Sequence, residues 1–449
     1  MAAKEPYNYI PLYHGKSWVK PYLPREAMDW THGNHKSIEQ ESASVVDLVS
    51  TLSLLNKNKT WRWPKRRHFF FTDLHADADA FAASLVASGG VKKRGPKPTD
   101  FVLSRVGKDA NFIIGGDCLD KGPSGLGLLK TIQYLKTQGA RVRILAGNHD
   151  VRVMFGMVSV SHKKDVLNEH FFIRTGEKII PLLKEVWDDY LKKDGGLEGV
   201  PGLKECRRRL YPRNAWFDEF PKVAAEAFFP NQMKRELSRL QKKYDRFEEK
   251  CTSVGLSLRH VYAAVEKWKE LFLSSDGEFN WFYKYMRLSY RSGSLLFIHA
   301  GLDNKVAASL RDNGVKELNA TFRKALFNSP FHFYYGPLCN TIRTKYRDTD
   351  HPFTKKGARC VQDAGISALI HGHRNLYYGQ RIVLRHSILN FECDTSLDKN
   401  TRKKEGVPGL GAGVTIIEPD GQILGVSSDY PYIKVFDPKK TLKLIAKHN

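Results

Sequence analysis

Short apolar runs alternate with amphipathic stretches in the part of the chain that begins near Arg67. Buried strands are predicted by the runs RHFFFTD, NFIIGGD and ARVRILAGNHD. The stretches between them predict helices. Asp77 and Asp79 stand at the start of the first helix, and Pro123 stands in the first turn of the second. Strand and helix in alternation are typical of a layered α/β domain, in which ligands bind beyond the carboxyl ends of the strands.

A region of different character follows from about residue 156 to 290, where charged and aromatic residues predominate. Two apolar stripes repeat there with steps of three and four residues, the spacing of helices that pack on each other. The stripes comprise Met233, Leu237, Leu240, Tyr244 and Phe247, and then Leu258, Val261, Val265, Trp268 and Leu271. The pattern predicts an antiparallel coiled-coil hairpin at about 231–274, whose charged outer faces suit a protein partner and not chemistry.

Strand character returns after Arg291 in the runs SLLFIHAGLD, SALIHGHRN and HSILNFECDTS, and AGVTIIEPDGQILGVS predicts a β-hairpin. The predicted organisation has four parts, of which the core is formed by two segments. They are an N-terminal extension at 1–66 with an amphipathic helix near Ser37–Leu55, a core formed by 67–155 and 291–435, a helical insert at 156–290, and a C-terminal tail at 436–449.

The formal net charge of +24 over 449 residues attracts phosphate-bearing partners. Basic residues recur in patches at 57–68, 91–98, 204–213 and 401–406, for which solvated surface loops are favoured over nucleic-acid binding. Six cysteines without a framework spacing predict reduced thiols. No signal peptide or transmembrane stretch is evident, so we expect a cytoplasmic protein, or one translocated into a host cytosol by a route that the sequence does not display.

Polar side chains follow five of the predicted strands. They are Asp73 and His75, Asp117 and Asp120, Asn148 and His149, His299, and His371 and His373. One such residue alone is more often a turn or surface group, but five sets in sequence are hard to attribute to chance. Carboxylate, imidazole and amide ligands together suit a pair of divalent transition ions, which can activate water and neutralise the charge of a phosphoryl group.

The stretches DLHAD, GDCLDKG, GNHD, HAG and HGH resemble the five motifs of the calcineurin-like metallophosphatases, specifically those of the phosphoprotein phosphatase branch. The resemblance covers roughly residues 67–156 and 291–428. It implies an α/β fold with a central β-sandwich flanked by helices, here with an inserted α-helical hairpin. It also implies a phosphoric monoester hydrolase that needs two divalent ions, with Mn²⁺ expected and Fe or Zn as alternatives.

The resemblance implies a role for each polar position. Asp73 and His75 would hold one ion, and Asp117 would bridge both. Asn148, His299 and one histidine of the HGH pair would hold the second ion; His373 is preferred over His371. His149 would be the general acid, oriented by Asp120.

Departures from the family pattern bear on the substrate. Thr72 and Ala76 replace glycines, and Lys121 stands where the Ser/Thr phosphatases have a phosphate-binding arginine, which offers a planar fork instead of a point charge. A second phosphate-binding arginine is predicted in GPLCNTIRTKYR, with Arg343 as first choice and Arg347 as second.

Three functions therefore remain open. A metal-dependent phosphoprotein phosphatase is favoured. A leaning to phosphotyrosine follows because a phosphatase core with a helical hairpin also resembles a translocated bacterial effector with that activity. A diadenosine polyphosphate, nucleotide or RNA-cap pyrophosphohydrolase is the alternative, motivated by Lys121 and the net charge. The third function is an inactive scaffold that binds partners through the hairpin.

Overall fold

Two β-sheets form the centre of the computed structural model, which describes residues 7, 9–30, 38–40, 53, 61–161, 163–193, 195–228 and 231–440. Within these ranges the larger sheet has eight strands, in the spatial order Glu26–Asp29 (β1), Tyr432–Phe436 (β16), Ile423–Ser427 (β15), Gly413–Ile417 (β14), His68–Phe71 (β3), Asn111–Ile114 (β6), Arg141–Leu145 (β7) and Met286–Arg287 (β8). The smaller sheet has six strands, in the order Ile38–Gln40 (β2), Arg381–Arg385 (β12), Ile388–Glu392 (β13), Ala368–His371 (β11), Leu295–Phe297 (β10) and Tyr290–Ser292 (β9). Val91–Lys93 (β4) and Phe101–Leu103 (β5) form a separate antiparallel pair.

Parallel strands at the middle of each sheet decide where the functional loops meet. β3, β6 and β7 run parallel in the larger sheet, and β10, β11 and β13 run parallel in the smaller one. The carboxyl ends of neighbouring parallel strands lie at the same edge of a sheet, which is where ligands bind in such folds.

Side chains that alternate along β3 separate the two cores of the molecule, as expected for a strand buried on both faces. Phe70 points between the sheets, where its ring lies 5.7 Å from that of Phe297. Phe69 and Phe71 point the other way, and the ring of Phe71 lies 5.5 Å from that of Phe81 on a flanking helix. The sheets therefore pack on each other through one face and on helices through the opposite face.

Sixteen α-helices lie in the described ranges. The helices between β3 and the helical insert are Ala78–Ala87 (α1), Arg105–Asp109 (α2), Gly125–Thr137 (α3) and Asn148–Ser159 (α4). The insert contains Phe171–Thr175 (α5), Ile180–Tyr190 (α6), Leu203–Leu210 (α7), Trp216–Ala224 (α8), Gln232–Thr252 (α9), Leu258–Leu273 (α10) and Asn280–Tyr285 (α11). Later helices are Asn304–Asn328 (α12), Pro330–Tyr335 (α13), Pro337–Arg343 (α14), Lys355–Asp363 (α15) and Lys399–Lys404 (α16). The predicted fold class, a mixed α/β fold with central sheets flanked by helices, is confirmed.

Polar residues cap the N-termini of two helices near the site. Asp77 caps α1, and its carboxylate accepts a hydrogen bond of 3.0 Å from the Ala80 backbone nitrogen. Ser124 caps α3, so Pro123 lies just ahead of this helix and not in its first turn as predicted. All six cysteines are free, as the sequence indicated. None of the helices in the described ranges is long and apolar enough to cross a membrane.

Both ends of the chain contribute more to the sheets than the predicted boundaries imply. β1 pairs in parallel with β16, and β2 pairs in parallel with β12. The helix predicted near Ser37–Leu55 is wrong in its first part, because Ile38–Gln40 forms strand β2; the remainder lies almost entirely outside the described residues. β8 pairs with β7, so the last residues of the predicted insert belong to the larger sheet.

The two long helices of the insert do not form the predicted hairpin packing. The apolar stripe on α10 is buried and that on α9 is buried or half-buried, but each stripe faces other helices. Phe247 on α9 lies 5.4 Å from the ring of Phe172 on α5, and Trp268 on α10 lies 5.8 Å from that of Tyr283 on α11. The prediction of a coiled coil was wrong because a repeat of 3.5 residues identifies an apolar stripe but not the surface that covers it.

Removing the Phe247 side chain tests this packing. Phe247 is 1% exposed, so we expect Phe247→Ala to lower the free energy of unfolding by about 3–5 kcal/mol, measured by urea denaturation. The matched control is Val254→Ala just beyond the same helix, where the side chain is 39% exposed and the loss should be small. Equal losses in the two variants, or strictly additive losses in the Phe172→Ala/Phe247→Ala pair, would contradict the packing of α9 on α5.

Candidate active site

Six polar side chains from five strand ends converge at the edge where the two sheets meet. Asp73 and His75 follow β3, Asp117 follows β6, and Asn148 opens the helix that follows β7. From the smaller sheet come His299 after β10 and His373 after β11. Asp73, His75, Asp117 and His299 are each less than 5% exposed. The chain therefore places carboxylate, imidazole and amide groups together in a space that is largely shielded from water.

One part of this cluster is formed by Asp117, Asn148, His299 and His373. The Nε2 atom of His299 lies 3.5 Å from Asp117 Oδ2. Both rings have their tautomer set by a backbone carbonyl: His299 Nδ1 donates to Gly115 O at 2.8 Å, and His373 Nε2 donates to Arg343 O at 3.0 Å. The second nitrogen of each ring thereby faces the cluster, the arrangement found in metal-binding histidines. Against the effect of burial, the charges of Asp117 and Asp73 raise the pKa of His299 to about 10.

The Asn148 amide lies close to the polar atoms of the other three residues of this group. The terminal amide atom of Asn148 that faces the cluster lies 3.2 Å from His299 Nε2, 3.0 Å from His373 Nδ1 and 3.3 Å from Asp117 Oδ2. With the amide nitrogen at this end, Asn148 donates hydrogen bonds to these atoms. With the amide oxygen at this end, all four groups can act as ligands of a divalent ion.

The other part of the cluster is formed around His75. Its Nε2 atom lies 3.9 Å from Asp73 Oδ1 and 3.9 Å from Asp117 Oδ2. The Nζ atom of Lys121 lies 2.7 Å from the same nitrogen, so a positive charge already sits beside it. His149 Nε2 also approaches Asp117 Oδ2, at 3.8 Å. His75, Asp117 and His149 thus form a second group of convergent metal-ligating atoms.

His149 is held by a hydrogen-bonded network of its own. Its Nδ1 lies 2.6 Å from Asp120 Oδ1, and Arg152 Nη2 donates to Asp120 Oδ2 at 2.8 Å. Burial and then the charge of Arg152 lower the pKa of His149 well below its usual value. The contact between His149 and Asp120 is the one expected of an acid and its orienting carboxylate.

Backbone strain is concentrated at the same loops. A positive φ is uncommon for residues with a side chain and costs about 1–3 kcal/mol where it persists. It occurs here at Asp73 (53°), His75 (40°), Asp117 (56°), Asp120 (71°), Lys121 (65°) and His373 (70°). The surrounding sheets therefore hold the loops in conformations that their sequences do not favour, which is typical of functional sites.

Asp150 stabilises the strained loop after β6, and the sequence interpretation gave it no role. Its carboxylate accepts hydrogen bonds from the backbone nitrogens of Asp117 at 2.8 Å, Cys118 at 2.8 Å and Leu119 at 2.9 Å. Burial and then the charge of Asp117 raise the pKa of Asp150 to about 7, against the effect of these hydrogen bonds. The only feature of the sequence that pointed to a role for Asp150 was its position as the fourth residue of GNHD.

The cluster opens into a cleft of about 840 Å³ with basic walls. Asp73, Asp117, His149 and His373 form its floor, and the cations that line it are Lys121, Lys178, Lys345, Arg374, Arg381 and Lys404. Lys178 belongs to the helical insert and was not predicted. Its position depends on how the insert folds against the core, for which the sequence carries no local signal.

Three of the predicted residues lie elsewhere. His371 is buried at the end of β11, where its Nδ1 lies 3.1 Å from Gly372 O, outside the cluster. The guanidinium of Arg343 lies 5.2 Å from the ring centre of Tyr334, and Arg347 is exposed beside a different cavity. Neither arginine is among the described residues that line the cleft. Phosphate binding by either one stays a prediction.

Residues 67–253 match the family model described as calcineurin-like phosphoesterase. The matched segment contains the loops after β3, β6 and β7 and ends before His299. The chain therefore contains a calcineurin-like phosphoesterase domain. Together with the two groups of convergent ligands, this match indicates a metal-dependent phosphoesterase. No curated protein matches the chain in a sequence comparison.

Solved structures with a related chain path include two kinds of phosphatase. A cold-active protein tyrosine phosphatase is 12% identical, with a TM-score of 0.44 over 85% of this chain and 82% of that chain. The protein tyrosine phosphatase of a psychrophilic Shewanella species is 11% identical, with a TM-score of 0.42 over 82% and 80%. A protein serine/threonine phosphatase from Saccharomyces cerevisiae is 10% identical, with a TM-score of 0.36 over 88% of each chain. These likenesses are too weak to decide activity or substrate.

Replacing Asp150 tests its role in holding the loop. Asp150→Ala leaves four backbone N–H groups, those of Asp117, Cys118, Leu119 and Gly147, without their acceptor, so we expect the free energy of unfolding of the metal-free protein to fall by roughly 3 kcal/mol or more. Asp276→Ala, at an exposed turn, is the control and should change it by less than about 0.5 kcal/mol. A loss in Asp150→Ala no larger than that of the control would show that the loop holds its conformation without this carboxylate.

Proposed function

We propose that the protein is a metal-dependent phosphoprotein phosphatase that hydrolyses phosphomonoesters with two divalent ions, Mn²⁺ being the expected metal. The observation that carries the proposal is the convergence of two ligand groups on one buried carboxylate, Asp117, at the floor of a basic cleft. Oxygen and imidazole donors in this mixture suit Mn²⁺, Fe and Zn. The basic walls suit a dianionic phosphoryl group.

The ligands are divided between two ions, with Asp73 in place of His149 in the group around His75. Asp73, His75 and Asp117 would hold the first ion, and Asp117, Asn148, His299 and His373 would hold the second. When bound, the ions would supply an acidified water as nucleophile and neutralise charge on the phosphoryl oxygens. Asp150 holds the backbone that carries the shared ligand, and the carbonyls of Gly115 and Arg343 hold the two imidazoles in the ligating tautomer.

His149 would donate a proton to the leaving oxygen from Nε2. Asp120 fixes the ring through Nδ1, so Nε2 faces Asp117 and the cleft. Burial and Arg152 disfavour the protonated ring, whereas Asp117 favours it. A bound phosphoryl group brings further negative charge to this position, and it would therefore promote protonation of His149 when substrate is present.

The substrate preference is inferred from the cleft wall. Tyr377 and Pro181 line it beside the cations, so an aryl group has apolar contacts there and a leaning to phosphotyrosine is consistent with them. Lys121 supports the alternative of a diadenosine polyphosphate, nucleotide or RNA-cap pyrophosphohydrolase, because its ammonium beside His75 can follow a flexible polyphosphate. A role as a translocated effector stays a prediction.

Turnover of three substrates measured side by side tests the proposal. The Mn²⁺-loaded protein should hydrolyse a phosphotyrosine peptide with a higher kcat/KM than a phosphoserine peptide or diadenosine tetraphosphate. Chelation of the metal should abolish the activity. A preference for diadenosine tetraphosphate would support the alternative function, and failure to hydrolyse any of the three would contradict both.

The acid role of His149 predicts a dependence on the leaving group. His149→Ala should lower turnover of an alkyl phosphate by about 10²–10⁴-fold, but that of p-nitrophenyl phosphate far less, because a good leaving group needs little protonation. Metal content, measured by mass spectrometry, should stay at the wild-type value. The control His332→Ala changes an exposed histidine of α13 and should alter neither rate.

Equal losses on both substrates would rule out the acid role. A loss of one ion per chain in His149→Ala would instead assign His149 to the metal centre. Its approach to Asp117 makes that outcome a physical alternative.

A further inference from the structure

We infer that Lys178, which the helical insert supplies, binds the phosphoryl group of the substrate. This inference rests on the proposed function and extends it, because it makes the insert part of the substrate-binding site. Lys178 lies in the 3₁₀ turn Gly176–Ile179, between α5 and α6. It lines the same cleft as Asp117, Lys121 and His149.

The charges of Asp120 and Asp117 attract the ammonium group of Lys178, but neither carboxylate is bonded to it. Its side chain forms no hydrogen bond or ion pair with any residue in the described ranges. The cations Arg374 and Arg381, which line the same cleft, are instead bonded to Glu392, and Arg152 is bonded to Asp120. Lys178 is thus a cleft cation that is still available to an anion.

The electrostatic surroundings of Lys178 identify where that anion would bind. Burial and the charges of Arg152 and Lys121 lower the pKa of Lys178, and the charge of Lys178 in turn contributes to lowering that of His149. The charges of Arg152, Lys121 and Lys178, from three segments of the chain, therefore all act on the proposed acid. Lys121 and Lys178 line the cleft, so a phosphoryl dianion bound there would stabilise both of their charges.

The turn that carries Lys178 is held against the cleft by helix α9. Gly176 has φ of 66°, and a Cβ atom at this position would lie 3.1 Å from the Lys243 side chain. Lys243 Nζ donates to the Arg174 carbonyl, and Arg174 forms an ion pair of 2.6 Å with Glu236, also on α9. The insert helix that the sequence assigned to partner binding therefore positions a residue of the active-site cleft.

Titration of the Mn²⁺-loaded protein with inorganic phosphate tests the inference directly. Lys178→Met should weaken phosphate binding by about 10- to 100-fold, the range for loss of one charge-assisted hydrogen bond. Lys178→Arg should retain most of the affinity. The matched control is Lys250→Met on α9, an exposed lysine outside the cleft, which should bind phosphate like the wild type. Metal content and the urea midpoint should be the same in all four proteins.

Kinetics on the phosphotyrosine peptide supply the second readout. Lys178→Met should raise KM and lower kcat/KM, which an altered metal centre would not do at constant metal content. Equal phosphate affinity in Lys178→Met and Lys250→Met would overturn the inference, as would a wild type that binds no phosphate at millimolar concentration. If the wild type binds phosphate but hydrolyses no phosphoester, the proposed function fails, and the phosphate titration still decides the role of Lys178.

Discussion

Two buried carboxylates that share one small space are the constraint on which the rest of the structure depends. Asp73 and Asp117 are 2% and 1% exposed, and an oxygen of each lies 3.9 Å from the same nitrogen of His75. Like charges in a space with little water are strongly unfavourable unless positive charge compensates them. Burial, opposed by His299, raises the pKa of Asp73, whereas the nearby imidazoles hold that of Asp117 well below its usual value despite burial. In the proposed function, two divalent cations supply that compensation.

The architecture around the carboxylates keeps them in place at the expense of local conformational preference. Parallel strands in two sheets direct their carboxyl ends to one edge, and the loops there adopt positive φ angles at residues with side chains. Asp150 fixes one of these loops through three backbone hydrogen bonds, and Tyr283 of the insert donates to the Asp150 carbonyl at 2.9 Å. The insert is therefore connected to the loops of the polar cluster through Tyr283, and it also contributes Lys178 to the cleft.

Features that depend on residues close together in the chain could be predicted from the sequence, and features that depend on residues far apart in the chain could not. Strands such as His68–Phe71, and the polar residues directly after them, are local patterns, so the fold class and the set of converging side chains could be predicted. The partners of the stripes on α9 and α10 depend on surfaces far away in the chain, and there the predicted coiled coil was wrong. The roles of Asp150 and Lys178 likewise arise only from tertiary contacts. The strand at Ile38–Gln40 was missed because its pairing with β12 is more than 300 residues distant.

The most direct test of the central claim, that Asp117 is shared by two cations, is anomalous diffraction from crystals grown with Mn²⁺. We predict two anomalous peaks on either side of the Asp117 carboxylate, about 3.5–4 Å apart as in other two-metal sites. One peak should contact Asp73 and His75, and the other should contact Asn148, His299 and His373. A single peak, or peaks that do not contact Asp117, would contradict the account.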